Sequence, residues 1–212
     1  MNPIGFVVGL EAEARLVRDL GPVAIGGDEA AANSLIGRVG ALVSFGLAGG
    51  LHPRLLPGYV LVPKQVKIGR DTFDCDPRLT EAFGGTTCDS ILAVDTVVGS
   101  VARKTTLFQV TNAAGVDMES GAVVKVARQH NLPFAVIRAV CDPSDRSLPV
   151  VAQEALDAEG KIRFKFILRS LAARPWEIVD LVKLARDARK ARQGLMKTLD
   201  HWRKRGASPC RN

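Results

Sequence analysis

The sequence predicts a three-layer αβα domain, helices on both faces of a central mixed sheet, followed by a basic amphipathic helix. Three observations point there. Short apolar runs bounded by Gly and Pro recur at Ile4–Leu10, Ala41–Phe45 and Pro133–Val140, as buried strands require. Helical stretches separate them, and strands alternating with helices build a sheet covered on both sides. Past residue 160 the chain changes character: residues 1–160 carry 14 Lys/Arg against 18 Asp/Glu, and residues 161–212 carry 15 against 4.

Taken in order, Ile4–Leu10 is the first strand and Glu11 to Leu20 the first helix. Ala41–Phe45 (ALVSF) is a buried strand that ends in the glycine turn Gly46-Leu-Ala-Gly-Gly50. Tyr59–Val62 and Gln65–Ile68 extend the sheet after a Pro-Gly turn, and Ile91–Val98 adds a further strand. Met118–Gln129 is a helix, and Pro133–Val140 (PFAVIRAV) is an apolar run interrupted by one arginine. Asp157-Ala-Glu-Gly160 is a turn. A short helix near Arg163–Ala173 stops at Pro175, which opens a longer helix reaching to about Arg205. On it Ile178, Leu181, Leu184, Ala185, Ala188, Ala191, Leu195, Leu199 and Trp202 form an apolar stripe flanked by Lys183, Arg186, Arg189, Lys190, Arg192 and Lys197. The expected division is a main α/β domain over 1–160, which holds the candidate chemistry, and a basic helical extension over 161–212 packed on the same domain.

Composition narrows the functional classes. With 47% hydrophobic and 24% charged residues, the chain is neither disordered nor fibrous. No apolar stretch reaches the length of a membrane-spanning helix, and MNPIGFVVGL lacks the basic start of a secretory signal. Cys75, Cys88, Cys141 and Cys210 form no CxxC pair and read as reduced thiols of a cytoplasmic protein. Three histidines, His52, His130 and His201, are too dispersed to suggest a metal centre, and no metal or cofactor is expected.

The candidate chemistry lies in three segments. Glycines after a buried strand let backbone approach a ligand, which draws attention to Gly46 and Gly49. Val116-Asp-Met-Glu-Ser120 opens a helix; alone, Glu119 reads as an ordinary first-turn charge and Asp117 as a cap. In Arg138-Ala-Val-Cys-Asp142 a run that should be buried ends in a carboxylate beside a proline, at the strand end where open α/β sheets bind ligands. Glu13 falls on the same rim. Carboxylates converging on a glycine-lined pocket, without a metal, suit acid/base cleavage of an N-glycosidic bond to a purine. There a general acid protonates the base and the ribose develops oxocarbenium character.

GLEAEA, FGLAGGL, VDMESGAV and RAVCDPSD, in this order over about residues 1–145, resemble the nucleoside phosphorylase superfamily. The likeness is to its methylthioadenosine/adenosylhomocysteine nucleosidase branch. Within the superfamily the likeness is nearest to the hopanoid-associated phosphorylases, which share the CDPSD-like turn and the LARDARKAR-like tail. The resemblance implies an enzyme, a purine nucleoside phosphorylase or nucleosidase, that releases adenine from an adenosine-type nucleoside, adenosylhopane in hopanoid biosynthesis. It makes Asp142 the general acid, Glu119 the ribose-hydroxyl ligand, and Glu13 the group that orients or deprotonates water, with Glu11 the alternative. Met118 packs under the sugar, Arg138 is the arginine near the acid, and Gly46 and Gly49 lie beside the nucleophile. Two departures concern the nucleophile: Leu47 stands where relatives carry serine, and Ser44 where phosphate-using members carry arginine. Phosphate as co-substrate would then fall to Arg38 or Arg138, and phosphorolysis and hydrolysis both stay open. The segment from Val66 to Ile91 is short for the family.

The expected partners are a small nucleoside or nucleoside-lipid substrate and further copies of the chain in a homo-oligomer. A hopanoid keeps its skeleton in the bilayer, so the basic helix, with Trp176 and Trp202 near its ends, suits contact with an anionic inner-membrane face. The rival enzyme is a soluble methylthioadenosine/adenosylhomocysteine nucleosidase. A nucleic-acid-binding module would use the basic tail, but 5% aromatics and an acidic body oppose it.

Overall fold

The computed structural model describes residues 3–149, 152 and 178–204. The turn at 157–160, the helix near Arg163–Ala173, Pro175, Trp176 and Cys210 lie outside the described residues. The elements are β1 (Ile4–Val8), α1 (Glu11–Val17), β2 (Val23–Ile25), α2 (Glu29–Asn33), β3 (Ala41–Gly50), β4 (Val60–Leu61), β5 (Pro63–Ile68), β6 (Asp71–Asp74), α3 (Pro77–Ala82), β7 (Cys88–Ala93), α4 (Val101–Thr111), β8 (Gly115–Asp117), α5 (Ser120–Gln129), β9 (Phe134–Asp142) and α6 (Ile178–Lys204).

The strands form one mixed sheet in the order β2-β1-β3-β8-β7-β5-β6, with β9 beside β3 and β4 beside β9. Strand alternation assigns each face its core. Val7, Leu42 and Val136 point toward α2 and α5, whose Ala32, Val123, Val124 and Ala127 cover them. Phe6, Val43, Phe45 and Ile137 point to the other side, where Ala14 of α1, Leu79 of α3 and Ala191, Leu195, Leu199 and Trp202 of α6 cover them. Phe83 stacks on Trp202 at 5.6 Å between ring centroids. The second half of the α6 stripe therefore packs on this domain, while Ile178, Val179 and Val182 in its first turns are exposed. No helix among the described residues is long and apolar enough to cross a membrane.

Two expectations about local structure are corrected. The glycines of 46–50 are not a turn, because β3 continues through them to Gly50. Met118 and Glu119 precede their helix instead of opening it: Asp117 ends β8 and α5 begins at Ser120. Both follow from the way β3 is shared. It runs parallel to β9 from Leu42↔Phe134 to Gly49↔Asp142, with an irregularity between Ala48 and Gly49, and its last residues also pair antiparallel with β8, Gly49↔Val116 and Gly50↔Gly115. The ends of β8 and β9 are thereby brought to the same glycine-rich strand end.

Candidate functional site

Glu13 is fixed by the start of α1. Its Oε2 accepts from the N–H groups of Leu10 (2.9 Å) and Gly9 (3.1 Å), half of a capping box, and its Oε1 accepts from Leu47 N–H across the cleft at 2.9 Å. Glu11, the alternative, points elsewhere, to Arg18 and Arg15 on the surface. Burial pushes the Glu13 carboxyl above its ordinary range, and Arg138 pulls against that shift.

Arg138 is the hub of the carboxylates, and its side chain has no exposed surface. Nε meets Asp117 Oδ2 at 2.6 Å, Nη2 meets Glu119 Oε2 at 3.1 Å and Ser44 Oγ at 2.6 Å, and Nη1 donates to the Leu47 carbonyl. Burial alone would weaken its charge, but Asp117, Glu119 and Glu13 outweigh that and push its pKa up. Asp117 is further held by Ser120. Expected beside the acid and in contact with ligand, Arg138 instead anchors Glu119 from beneath. Four residues of strand, roughly 13 Å, separate it from Asp142 along β9.

Gly46 and Gly9 make this packing fit. A Cβ on Gly46 would lie 2.5 Å from Glu13 Oε1 and 2.6 Å from Arg138 Nη1, and one on Gly9 would lie 2.7 Å from Glu119 Oε1. Gly27, with φ of +70°, admits the Glu119 side chain where any Cβ would overlap it. Glu119 keeps 26% of its side chain exposed, so it faces the opening while gripped from behind.

Two connected spaces meet at these residues. A cleft of about 910 Å³ is lined by Gly9, Glu13, Gly27, Met118, Glu119 and Lys125 among others. An adjoining cavity of about 450 Å³ shares Leu10, Leu47, Val94, Met118, Glu119 and Cys141 with it, and continues to Asp142. That cavity is walled by Val97, Val98 and Leu148 and by Leu181, Leu184 and Ala188 of α6. Met118 is 45% exposed at the junction, and Gly49 brings the end of β3 near Asp142 Oδ2.

Asp142 is paired with Lys104, whose Nζ lies 2.6 Å from Oδ2. Burial raises the Asp142 carboxyl above its usual range, while Lys104 and Arg146 pull it back. Lys104 was missed by the sequence reading, as were Gly9 and Gly27. Cys141 also lines both spaces, but burial pushes its thiol up to about 12, so it is no nucleophile at neutral pH. Of the residues considered for phosphate, Arg38 is exposed and outside the lining, and Arg138 is sealed. Lys125, the cation on the cleft wall, is paired with Glu29 at 3.0 Å. Among the described residues no group of three or more His, Cys, Asp and Glu could hold a metal ion.

The site thus offers one carboxyl on the wall of an apolar cavity, a second gripped at its junction with the cleft and a third across the cleft holding backbone. Residues 73–173 match the Phosphorylase superfamily. No curated protein matches the chain by sequence. Among solved structures, the chain superposes on the 5′-methylthioadenosine/S-adenosylhomocysteine nucleosidase of Neisseria meningitidis with a TM-score of 0.68 at 17% identity, covering 97% of this chain and 100% of that one. The futalosine hydrolase of Helicobacter pylori gives 0.66 at 15%, covering 96% and 98%. The S-adenosylhomocysteine nucleosidase of Streptococcus pyogenes gives 0.63 at 16%, covering 93% and 96%. The fold is that of the nucleoside phosphorylases and nucleosidases.

Proposed function

We propose that this chain, which has the phosphorylase-superfamily fold and over residues 73–173 its sequence, is a nucleosidase that hydrolyses the N-glycosidic bond of an adenosine-type nucleoside. The observation that supports this reading is that three carboxyls line two adjoining spaces. Asp142 lines the apolar cavity, which suits a flat purine, Glu119 lies at the junction with the cleft, and Glu13 lines the cleft itself. In this reading protonated Asp142 donates to a ring nitrogen of adenine as the bond to C1′ breaks. Glu119 accepts hydrogen bonds from the ribose hydroxyls, above Met118. Glu13 takes a proton from water attacking C1′, and the products are adenine and the free sugar. Solvent exchange then returns the proton to Asp142 and removes it from Glu13.

Water is the better nucleophile here. A phosphate dianion would meet Glu13, Glu119, Asp28 and Asp95 on the cleft wall, with no uncommitted cation among the described lining residues. Within the adenosine class we take adenosylhopane as the substrate, as the sequence resemblance implies. Its support is the apolar wall given by α6 and, on the same helix, exposed Ile178, Val179 and Val182 beside Lys183, Arg186 and Arg189. Such a surface suits an apolar substrate presented at an anionic membrane face.

Adenine release measured by chromatography, from adenosylhopane in detergent and from methylthioadenosine, adenosylhomocysteine and adenosine, tests both levels. The expected result is release from adenosylhopane at a rate unchanged by added phosphate. Phosphate-dependent release would make the reaction phosphorolysis, and release from the small thio-nucleosides alone would make this a soluble nucleosidase.

Gly46→Ala is expected to lower turnover by about 10²-fold, because its methyl group displaces Glu13 and Arg138 together and misplacements of about 1 Å carry such costs. Steady-state kinetics beside a melting curve checks this. Native turnover at native stability would show that Glu13 does not need its present position.

A further inference from the structure

We propose that Lys104 is a positioning residue for catalysis: its buried ammonium fixes the Asp142 carboxyl on the wall of the apolar cavity and stabilises the carboxylate that remains when Asp142 gives up its proton. The inference rests on the reading of Asp142 as the general acid.

Lys104 has no exposed side-chain surface, and lysine is almost never buried without a committed partner. It stands on α4, where it is the one buried residue of the helix, and its three donors are spent within a single stretch of chain. Nζ meets Asp142 Oδ2 at 2.6 Å and donates to the carbonyls of Pro143 (2.9 Å) and Arg146 (2.7 Å). An ammonium so held does not reorient when a ligand arrives. Lys104 engages Oδ2 of Asp142, and Asp142 lines the cavity.

The chemical need is specific. A carboxyl in an apolar cavity stays protonated easily, but donating that proton leaves an anion where water is scarce. A fixed cation on the far oxygen is worth most at that moment, when charge appears, and less while the acid is neutral. The other charged or titratable groups around Asp142 are Arg146 and Asp145 in the following turn and the Cys141 thiol. Arg146 is committed to Asp187 of α6 at 2.5 Å and Asp145 opposes it, so neither replaces Lys104.

Lys104→Met removes the charge and keeps the length of the side chain. Because Lys104 pulls the Asp142 carboxyl down, its loss moves the alkaline limb of the kcat/KM profile to higher pH by about one unit or more, the range for an opposite charge at contact. At the same time kcat falls at least about tenfold as the product carboxylate loses its partner. Lys104→Arg should return the limb toward its native position. Lys104→Gln, which can still donate to the carbonyls of Pro143 and Arg146, serves if the Met variant does not fold. The titration of the Asp142 carboxyl, followed by its ¹³C shift in native protein and variant, reads the same coupling without turnover. A nucleoside assay that fails in the native enzyme therefore overturns the functional reading separately. If pH profile and carboxyl titration both stay where they are and only the melting temperature drops, Lys104 merely ties α4 to the 143–146 turn and the proposal is wrong.

Discussion

Asp142→Asn is expected to lower adenine release by about 10²–10⁴-fold, the usual contribution of a positioned general acid. The substitution is nearly isosteric. The amide oxygen can still accept from Lys104, whose other two donors stay on the carbonyls of Pro143 and Arg146, so circular dichroism should report an unchanged fold. What the amide cannot do is lose a proton to the departing adenine. The loss should appear in kcat and kcat/KM together, since the proton is in flight only in the transition state. The native profile should fall as pH rises through the Asp142 carboxyl, which burial places above the ordinary range, and in the variant that limb should vanish. A nitrophenyl riboside, whose leaving group departs as a stable anion without protonation, isolates the role: the variant should cleave it with little loss. Near-native release of adenine by the variant would remove Asp142 from the mechanism.

The parts of this site that the sequence disclosed are those whose signal is local. IGFVV, ALVSF and PFAVIRAV are apolar runs, and they became β1, the first half of β3 and most of β9. Asp142 was visible because a carboxylate terminates such a run, and Arg138 because it interrupts one. Gly46–Gly50 misled because glycine has no side chain to show strand alternation. Only the pairing of β3 with both β8 and β9 reveals that the strand goes on. Lys104 was illegible for a related reason. Helix α4 has no apolar stripe of its own, and its enclosed residue is a lysine, which composition counts as surface charge. Its meaning comes from residues 142–146, some forty positions on. The partner of Arg138 was misjudged because nearness in sequence along a strand is distance in space, whereas Asp117 and Glu119, about twenty positions away, lie against it.

Arg138→Met is expected to destabilise the protein by about 3–5 kcal/mol, the cost of leaving buried charge without its partner. For a chain of this size that is a fall in melting temperature on the order of 10 °C. The guanidinium pairs with both Asp117 and Glu119, and it packs against Leu47 and Ser44. Methionine restores part of the volume but none of the charge. The two carboxylates will not suffer alike. Glu119 reaches the cleft and can take on water, but Asp117 is buried and, among the described residues, keeps its hydrogen bonds from Ser120. Burial already holds the Asp117 carboxyl above its ordinary range, with Arg138 pulling against that shift; stripped of the cation it rises further, so the variant loses more stability than the native protein as pH rises. Its deficit against the native protein should thus be smaller at about pH 5 than at about pH 8. Adding Asp117→Asn to Arg138→Met should recover stability at the higher pH and little at the lower, since the amide removes the charge that had been stranded. Equal melting temperatures for native protein and Arg138→Met across that range would mean that Asp117 finds water, and that the site does not depend on this arginine for its shape.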